Sequence, residues 1–114
     1  MDDGGNGCGR GTWPVCSKEK GNTQQGLCDM GGSVWEWILD EYKDSYSGAP
    51  KSAEAHVGSA PTCSQRCDNG SPGRVYRGGS WDLDARNLRA SNRDADGPSA
   101  RNDGLGFRPA GPVP

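Results

Sequence analysis

The stretch Arg74–Ala110, RVYRGGSWDLDARNLRASNRDADGPSARNDGLGFRPA, decides how this chain is read. Framework residues (Arg77-Gly78-Gly79-Ser80-Trp81, Leu88-Arg89 and Gly106-Phe107-Arg108) alternate there with four clusters of small, mostly polar residues. The clusters are Asp82-Leu83-Asp84, Asp94-Ala95-Asp96-Gly97, Ser99-Ala100 and Asp103-Gly104-Leu105. A scaffold carrying short, chemically interchangeable patches looks built to present a surface. It does not look built to hold a catalytic constellation.

The rest of the chain bounds what that scaffold can be. Leu, Ile, Val and Phe together number 12 of 114 residues, and Gly and Pro number 19 and 8. Such composition usually belongs to disordered chains. Three features oppose disorder. Net charge is only −2, so self-repulsion cannot expand the chain. Four Trp and three Tyr are present, and each can bury roughly 150–250 Å². The glycines sit singly or in pairs beside aromatics, as turn residues do. The expectation is one loop-rich domain with a small aromatic core that needs staples.

Five cysteines, Cys8, Cys16, Cys28, Cys63 and Cys67, can supply them. Their density in a weak-core chain favours disulfides and an oxidising compartment. Cys63 and Cys67 could close locally, and the odd cysteine is either free or paired outside the chain. Zinc is disfavoured, because no second close pair exists and His56 is the only histidine. No apolar run approaches the ~20 residues of a membrane span, and the acidic start Met1-Asp2-Asp3 is unlike a signal peptide.

Local patterns place the elements. Trp13-Pro14-Val15 reads as a short strand. Val34–Tyr42 alternates Val34/Glu36 against Trp35/Trp37 and reads as a strand. Residues 43–73 form one long insertion loop. Arg74–Arg77 is a strand, Ala85–Arg93 is ambiguous with a strand-like Leu88/Ala90 alternation, and Gly106–Arg108 is a closing strand. Trp35, Trp37, Trp81 and Phe107 are expected in the core rather than on a stacking platform. The arginines of 74–110 are interleaved with aspartates, which argues against nucleic acid and for Arg–carboxylate bonds that pin loops. Trp13 and His56 stand out for nothing.

Three motifs in order, Gly26-Leu27-Cys28-Asp29-Met30-Gly31-Gly32-Ser33-Val34-Trp35-Glu36-Trp37, Arg77-Gly78-Gly79-Ser80-Trp81 and Gly106-Phe107-Arg108, resemble the formylglycine-generating-enzyme/sulfatase-modifying-factor family over roughly Thr12–Ala110. The resemblance implies an irregular α+β, C-type-lectin-like fold with few short strands. It also implies that the chain is the C-terminal part of a longer domain. The family's oxidases are copper-dependent and use two cysteines shortly after the RGGS motif. Those positions here are Leu83 and Leu88, which cannot supply a thiolate, so neither catalysis nor copper is expected. Residues 74–110 also resemble the variable regions of diversity-generating-retroelement target proteins, whose randomised codons yield Asp, Ala, Gly, Ser or Leu.

Two site expectations follow. Asp82, Leu83, Asp84, Asp94, Ala95, Asp96, Gly97, Ser99, Ala100, Asp103, Gly104 and Leu105 form one ligand-binding face for a protein or glycan, on an extracellular or cell-surface domain. Small polar residues suit such adaptable surfaces. Asp29, Gly32, Val34 and Glu36 match the family's calcium ligands, and their carboxylates and backbone carbonyls suit a hard cation with a structural role. Without the resemblance, Asp29 caps a turn and Glu36 sits on an exposed strand face.

Overall fold

The computed structural model describes residues 11–58 and 66–112. The possible Cys63–Cys67 staple falls partly outside them. Four strands form one sheet in the order β3-β2-β1-β4. They are β1 (Trp35–Glu41), β2 (Arg74–Arg77), β3 (Asp94–Asp96) and β4 (Leu105–Gly106). β2 pairs antiparallel with both β1 and β3, while β4 runs parallel to β1. A register shift between Trp37 and Glu41 interrupts the β1–β2 ladder.

The expected strands at 34–42 and 74–77 form as the alternation requires. Other expectations are corrected. Among the described residues there is no α-helix, only 3-10 turns at Glu19–Gly21 and Ala85–Leu88. The helical part of the expected α+β class is therefore missing there. Ala85–Leu88 coils because Asp84 caps it, accepting the Arg86 N–H at 2.8 Å. Trp13–Val15 is not a strand; the chain turns at Val15 and Cys16, closed by the Ser17 N–H donating to the Pro14 carbonyl at 3.2 Å. β3 was not anticipated. Its Asp-Ala-Asp pattern is a charged edge strand whose single inward residue is Ala95.

The core is small. Trp35, Val75 and Ala95 are the buried apolar residues among those described, and Val75 and Ala95 face each other across β2 and β3. Tyr76 receives the rings of Trp35 and Trp37 edge-on, with centroids 5.1 and 5.4 Å away. Trp37 and Trp81 are half-buried. Phe107 is 76% exposed, which corrects its assignment to the core. β4 ends one residue earlier, and the inward contacts there come from Gly106 against Val34 and from the Arg108 guanidinium.

Backbone bonds stitch the three motifs together. The Gly32 N–H donates to Gly78 O at 2.7 Å, Trp81 N–H to Ser33 O at 2.8 Å, and Trp35 N–H to Gly104 O at 2.7 Å. Gly78 and Gly79 have φ of 98° and 73°, a region that L side chains rarely adopt. A Cβ on Gly79 would also lie 2.9 Å from Leu88 Cδ2.

Arginines hold the irregular segments, more through carbonyls than through the aspartates. Arg77 donates to Ala90 O and Asn92 O, Arg74 to Leu39 O, and Arg93 to Lys43 O. Arg93 also lies over the rings of Tyr42 and Tyr46, and Arg66 over Tyr42. Carboxylate pairs are Arg66–Asp94, Arg86–Asp84, Arg108–Glu36 and a long Arg74–Glu41 contact of 3.9 Å.

Candidate ligand-binding cleft

A cleft of about 340 Å³ opens where the Asp29–Ser33 loop meets the segment after Trp81. Three stretches line it. Trp13, Pro14, Ser17, Lys18 and Gly21 come from the N-terminal segment, and Asp29 to Ser33 from the glycine-rich loop. Ser80, Trp81, Leu83, Ala85 and Leu88 complete it. Among the described residues the N-terminal segment has no strand, and the Cys16–Cys28 disulfide ties it to the loop. Cys67 is disulfide-bonded as well. Lys18 Nζ sits 3.6 Å from the Trp13 ring centroid, so a cation covers part of that aromatic face.

The lining is mainly apolar. Trp13, Met30, Leu83 and Leu88 are all large, exposed apolar side chains, and all four converge on this one cleft. Leu88 lies over glycine backbone: its Cδ2 would be 4.0, 3.7 and 2.9 Å from a Cβ on Gly31, Gly32 and Gly79. Leu83 and Leu88, the positions at which the resemblance implies the oxidases' thiols, both line the cleft.

The structure divides the twelve candidate ligand-binding residues. Asp82, Leu83, Asp96, Ser99 and Asp103 are exposed, and Asp84, Asp94, Ala100 and Leu105 are half-buried. Ala95, Gly97 and Gly104 are buried, which corrects their placement on a displayed surface. Ala95 pairs with Val75 across β2 and β3. Gly97 packs so closely that a Cβ would meet Asp68 Cβ at 2.7 Å. Gly104 offers the carbonyl that holds β1.

Several aspartates also bond locally. Asp82 accepts from the buried Ser80 hydroxyl, Asp94 Oδ1 accepts the Ala95 N–H at 2.9 Å, and Asp96 Oδ1 accepts the Gly97 N–H at 2.8 Å. The Arg86 backbone N–H and then its guanidinium hold the Asp84 carboxyl below its ordinary pKa. Only Leu83 of the twelve lines the cleft. Trp13 and Met30 were missed, because exposure cannot be read from an isolated Trp or Met. The apolar Leu83/Leu88 pair, five apart in a polar stretch, was the available signal.

Of the four calcium candidates, the two carboxylates, Asp29 and Glu36, both have partners within the chain. Asp29 Oδ2 accepts the Cys16 N–H at 2.6 Å, so this carboxylate caps the disulfide loop. Both Glu36 oxygens receive Arg108: Nη2 lies 2.8 Å from Oε1, and Nε lies 3.2 and 3.1 Å from Oε1 and Oε2. Arg108 Nη2 also donates to Asp29 O at 3.2 Å. The Glu36 hydrogen bonds raise the Arg108 pKa above its already high ordinary value. Cys16, Cys28 and Asp29 group closely, but both sulfurs are in the disulfide.

A short-stranded sheet, glycine-stitched loops and a cleft beside the Arg-Gly-Gly-Ser-Trp turn define a small, loop-rich module. The chain belongs to the sulfatase-modifying factor enzyme 1-like domain family, whose pattern matches residues 7–111. It is also similar to serine/threonine-protein kinase Pkn1 of Chlamydia trachomatis serovar L2, with 35% identity over 84 residues. The pkn1 kinases of Chlamydia pneumoniae and Chlamydia caviae are each 36% identical over 84 residues. Each match covers 73% of this chain and 12% of the relative, so the chain spans about an eighth of those relatives' length. No solved structure matches the chain. No helix among the described residues is long and apolar enough to cross a membrane.

Proposed function

We propose that this chain is a non-catalytic ligand-binding domain, receptor- or adhesin-like, on a C-type-lectin-like scaffold. The convergence of Trp13, Met30, Leu83 and Leu88 on one cleft carries the reading. Exposed apolar groups gathered in a concavity mark binding sites. Leu83 and Leu88 offer no thiolate, so the copper-oxidase alternative lacks its nucleophiles. The ligand is a protein that inserts an apolar side chain, with the exposed Asp82, Asp96, Ser99 and Asp103 providing further polar contacts. Disulfides at Cys16–Cys28 and Cys67 support an extracellular or cell-surface setting. In the kinase relatives the matched stretch is a small part of the chain, the size of an accessory module.

Retroelement diversification of residues 74–110 extends the proposal. The burial of Ala95, Gly97 and Gly104 restricts it to the exposed positions. The test is a screen of the full protein against peptide and glycan arrays, with Leu88→Lys as the cleft variant. Binding to peptides with apolar anchors, lost in Leu88→Lys at unchanged melting temperature, supports the reading. Binding to glycans alone, or oxidation of a cysteine peptide with copper supplied, refutes it. A near-copy of the 74–110 coding sequence beside the gene, differing only at adenines, tests the diversification separately.

A further inference from the structure

We propose that the Arg108 guanidinium is the resident cation of the Asp29–Glu36 loop, and that it closes to calcium the position where the family resemblance implies that ion. The donor set does not fit a metal. Calcium needs about 6–8 oxygens at about 2.3–2.6 Å. Here Glu36 spends both oxygens on a forked guanidinium contact, at 2.8 to 3.2 Å. The Asp29 carbonyl is turned to the same guanidinium, at 3.2 Å. The Asp29 carboxylate is engaged elsewhere, with the Cys16 N–H at 2.6 Å. A dication entering here would have to break the fork and would then face the displaced positive charge at close range, where Coulomb repulsion is strongest. The pair is also mostly covered, with side-chain exposures of 32% for Arg108 and 26% for Glu36.

One monovalent side chain therefore joins three parts of the fold: the stretch after β4, strand β1 and the disulfide-tied loop. Asp29, Gly31, Gly32 and Ser33 line the cleft, so a covalently fixed charge sets that side of it rather than an exchangeable ion. On the ligand-binding reading above, ligand capture is then independent of calcium.

The experiment compares the full protein with its Arg108→Ala and Glu36→Gln variants, using terbium and calcium as probes. Terbium seeks the same oxygen ligands as calcium, and Trp35 and Trp37 flank Glu36 as sensitisers of its emission. In the wild type, no terbium emission and no chelator-induced fall in melting temperature should depend on Glu36. Arg108→Ala should gain sensitised emission that calcium competes away, together with a melting temperature that rises with calcium. Adding Glu36→Gln should remove both gains. A wild-type chelator sensitivity or terbium signal that Glu36→Gln abolishes would overturn the assignment. So would an Arg108→Ala protein that folds and stays indifferent to calcium. If Arg108→Ala does not fold, the wild-type and Glu36→Gln arms decide alone. None of these readouts involves the ligand, so failure here and failure of the binding screen are distinguishable.

Discussion

Trp35→Ala should unfold the domain, and Phe107→Ala should barely weaken it. Trp35 is 8% exposed and lies edge-on to Tyr76 at 5.1 Å. Burying a ring of this size removes roughly 200 Å² from water. At about 25 cal/mol per Å² that is about 5 kcal/mol, an upper value because the unfolded chain already covers part of the ring. Measured truncations of buried aromatics cost about 3–5 kcal/mol, and the lost edge contact with Tyr76 adds about 1 kcal/mol. Single domains hold only about 5–15 kcal/mol in total. This one, with Trp35, Val75 and Ala95 as the buried apolar residues among those described, belongs at the low end. Phe107 has about a quarter of its surface covered, so the same arithmetic gives about 1 kcal/mol. Urea denaturation of the intact protein, followed by far-UV circular dichroism, separates the two. Phe107→Ala should shift the midpoint slightly at unchanged slope. A Phe107→Ala midpoint that falls as far as that of Trp35→Ala would refute this account of the core.

Within the polar clusters, Gly97→Ala should cost about 1–3 kcal/mol by overpacking, since its Cβ would meet Asp68 Cβ at 2.7 Å. Asp96→Ser, on the exposed side of the same cluster, should stay within about 0.5 kcal/mol, and thermal melts of both report the difference. Asp84 should titrate below the ordinary carboxylate range in an NMR pH series. Its stabilisation is present above the unfolded pKa and lost as pH falls through the lower folded value, and Arg86→Ala should weaken that depression. Burial, and then Asp96, push the Tyr76 pKa up. The corresponding stability is complete below the ordinary phenol value and lost as pH rises through the raised one. Tyr76→Phe should flatten the alkaline limb of a stability–pH curve.

The sheet was legible where the chain alternates aromatic and polar residues. Trp35/Trp37 against Val34/Glu36, and Val75 between Arg74 and Tyr76, can bury one face only as strands. Elements made by capping and tertiary pairing were not legible. The Leu88/Ala90 alternation is overridden because Asp84 reaches the Arg86 N–H and coils the chain. β3 exists because β2 offers an unpaired edge, and only the fold reveals that Ala95 lands on Val75. Phe107 misled for a related reason. An aromatic inside a framework motif is usually core, but here the glycine before it and the arginine after it make the inward contacts.

The candidate site was readable in its chemistry and hidden in its geometry. Leu83 and Leu88 could be read from sequence alone as alkyl where the resemblance implies thiols, whereas the company of Trp13 and Met30 appears only once the Cys16–Cys28 loop folds against the glycines. The clusters themselves proved to be of two kinds. Where a small residue answers a packing demand, as at Ala95, Gly97 and Gly104, its size is fixed by its neighbours. Where an aspartate is exposed, its side chain often bonds its own turn, as Asp82 does with Ser80 and Asp96 with Gly97. Variation is therefore physically cheap at only part of this surface. On the proposed reading, a face that varies would draw on the exposed Asp82, Leu83, Asp96, Ser99 and Asp103, with Asp82 and Asp96 giving up a local hydrogen bond when changed. Of these, Leu83 alone lines the cleft, so on the proposed ligand-binding reading affinity there would depend on apolar insertion more than on the polar residues around it.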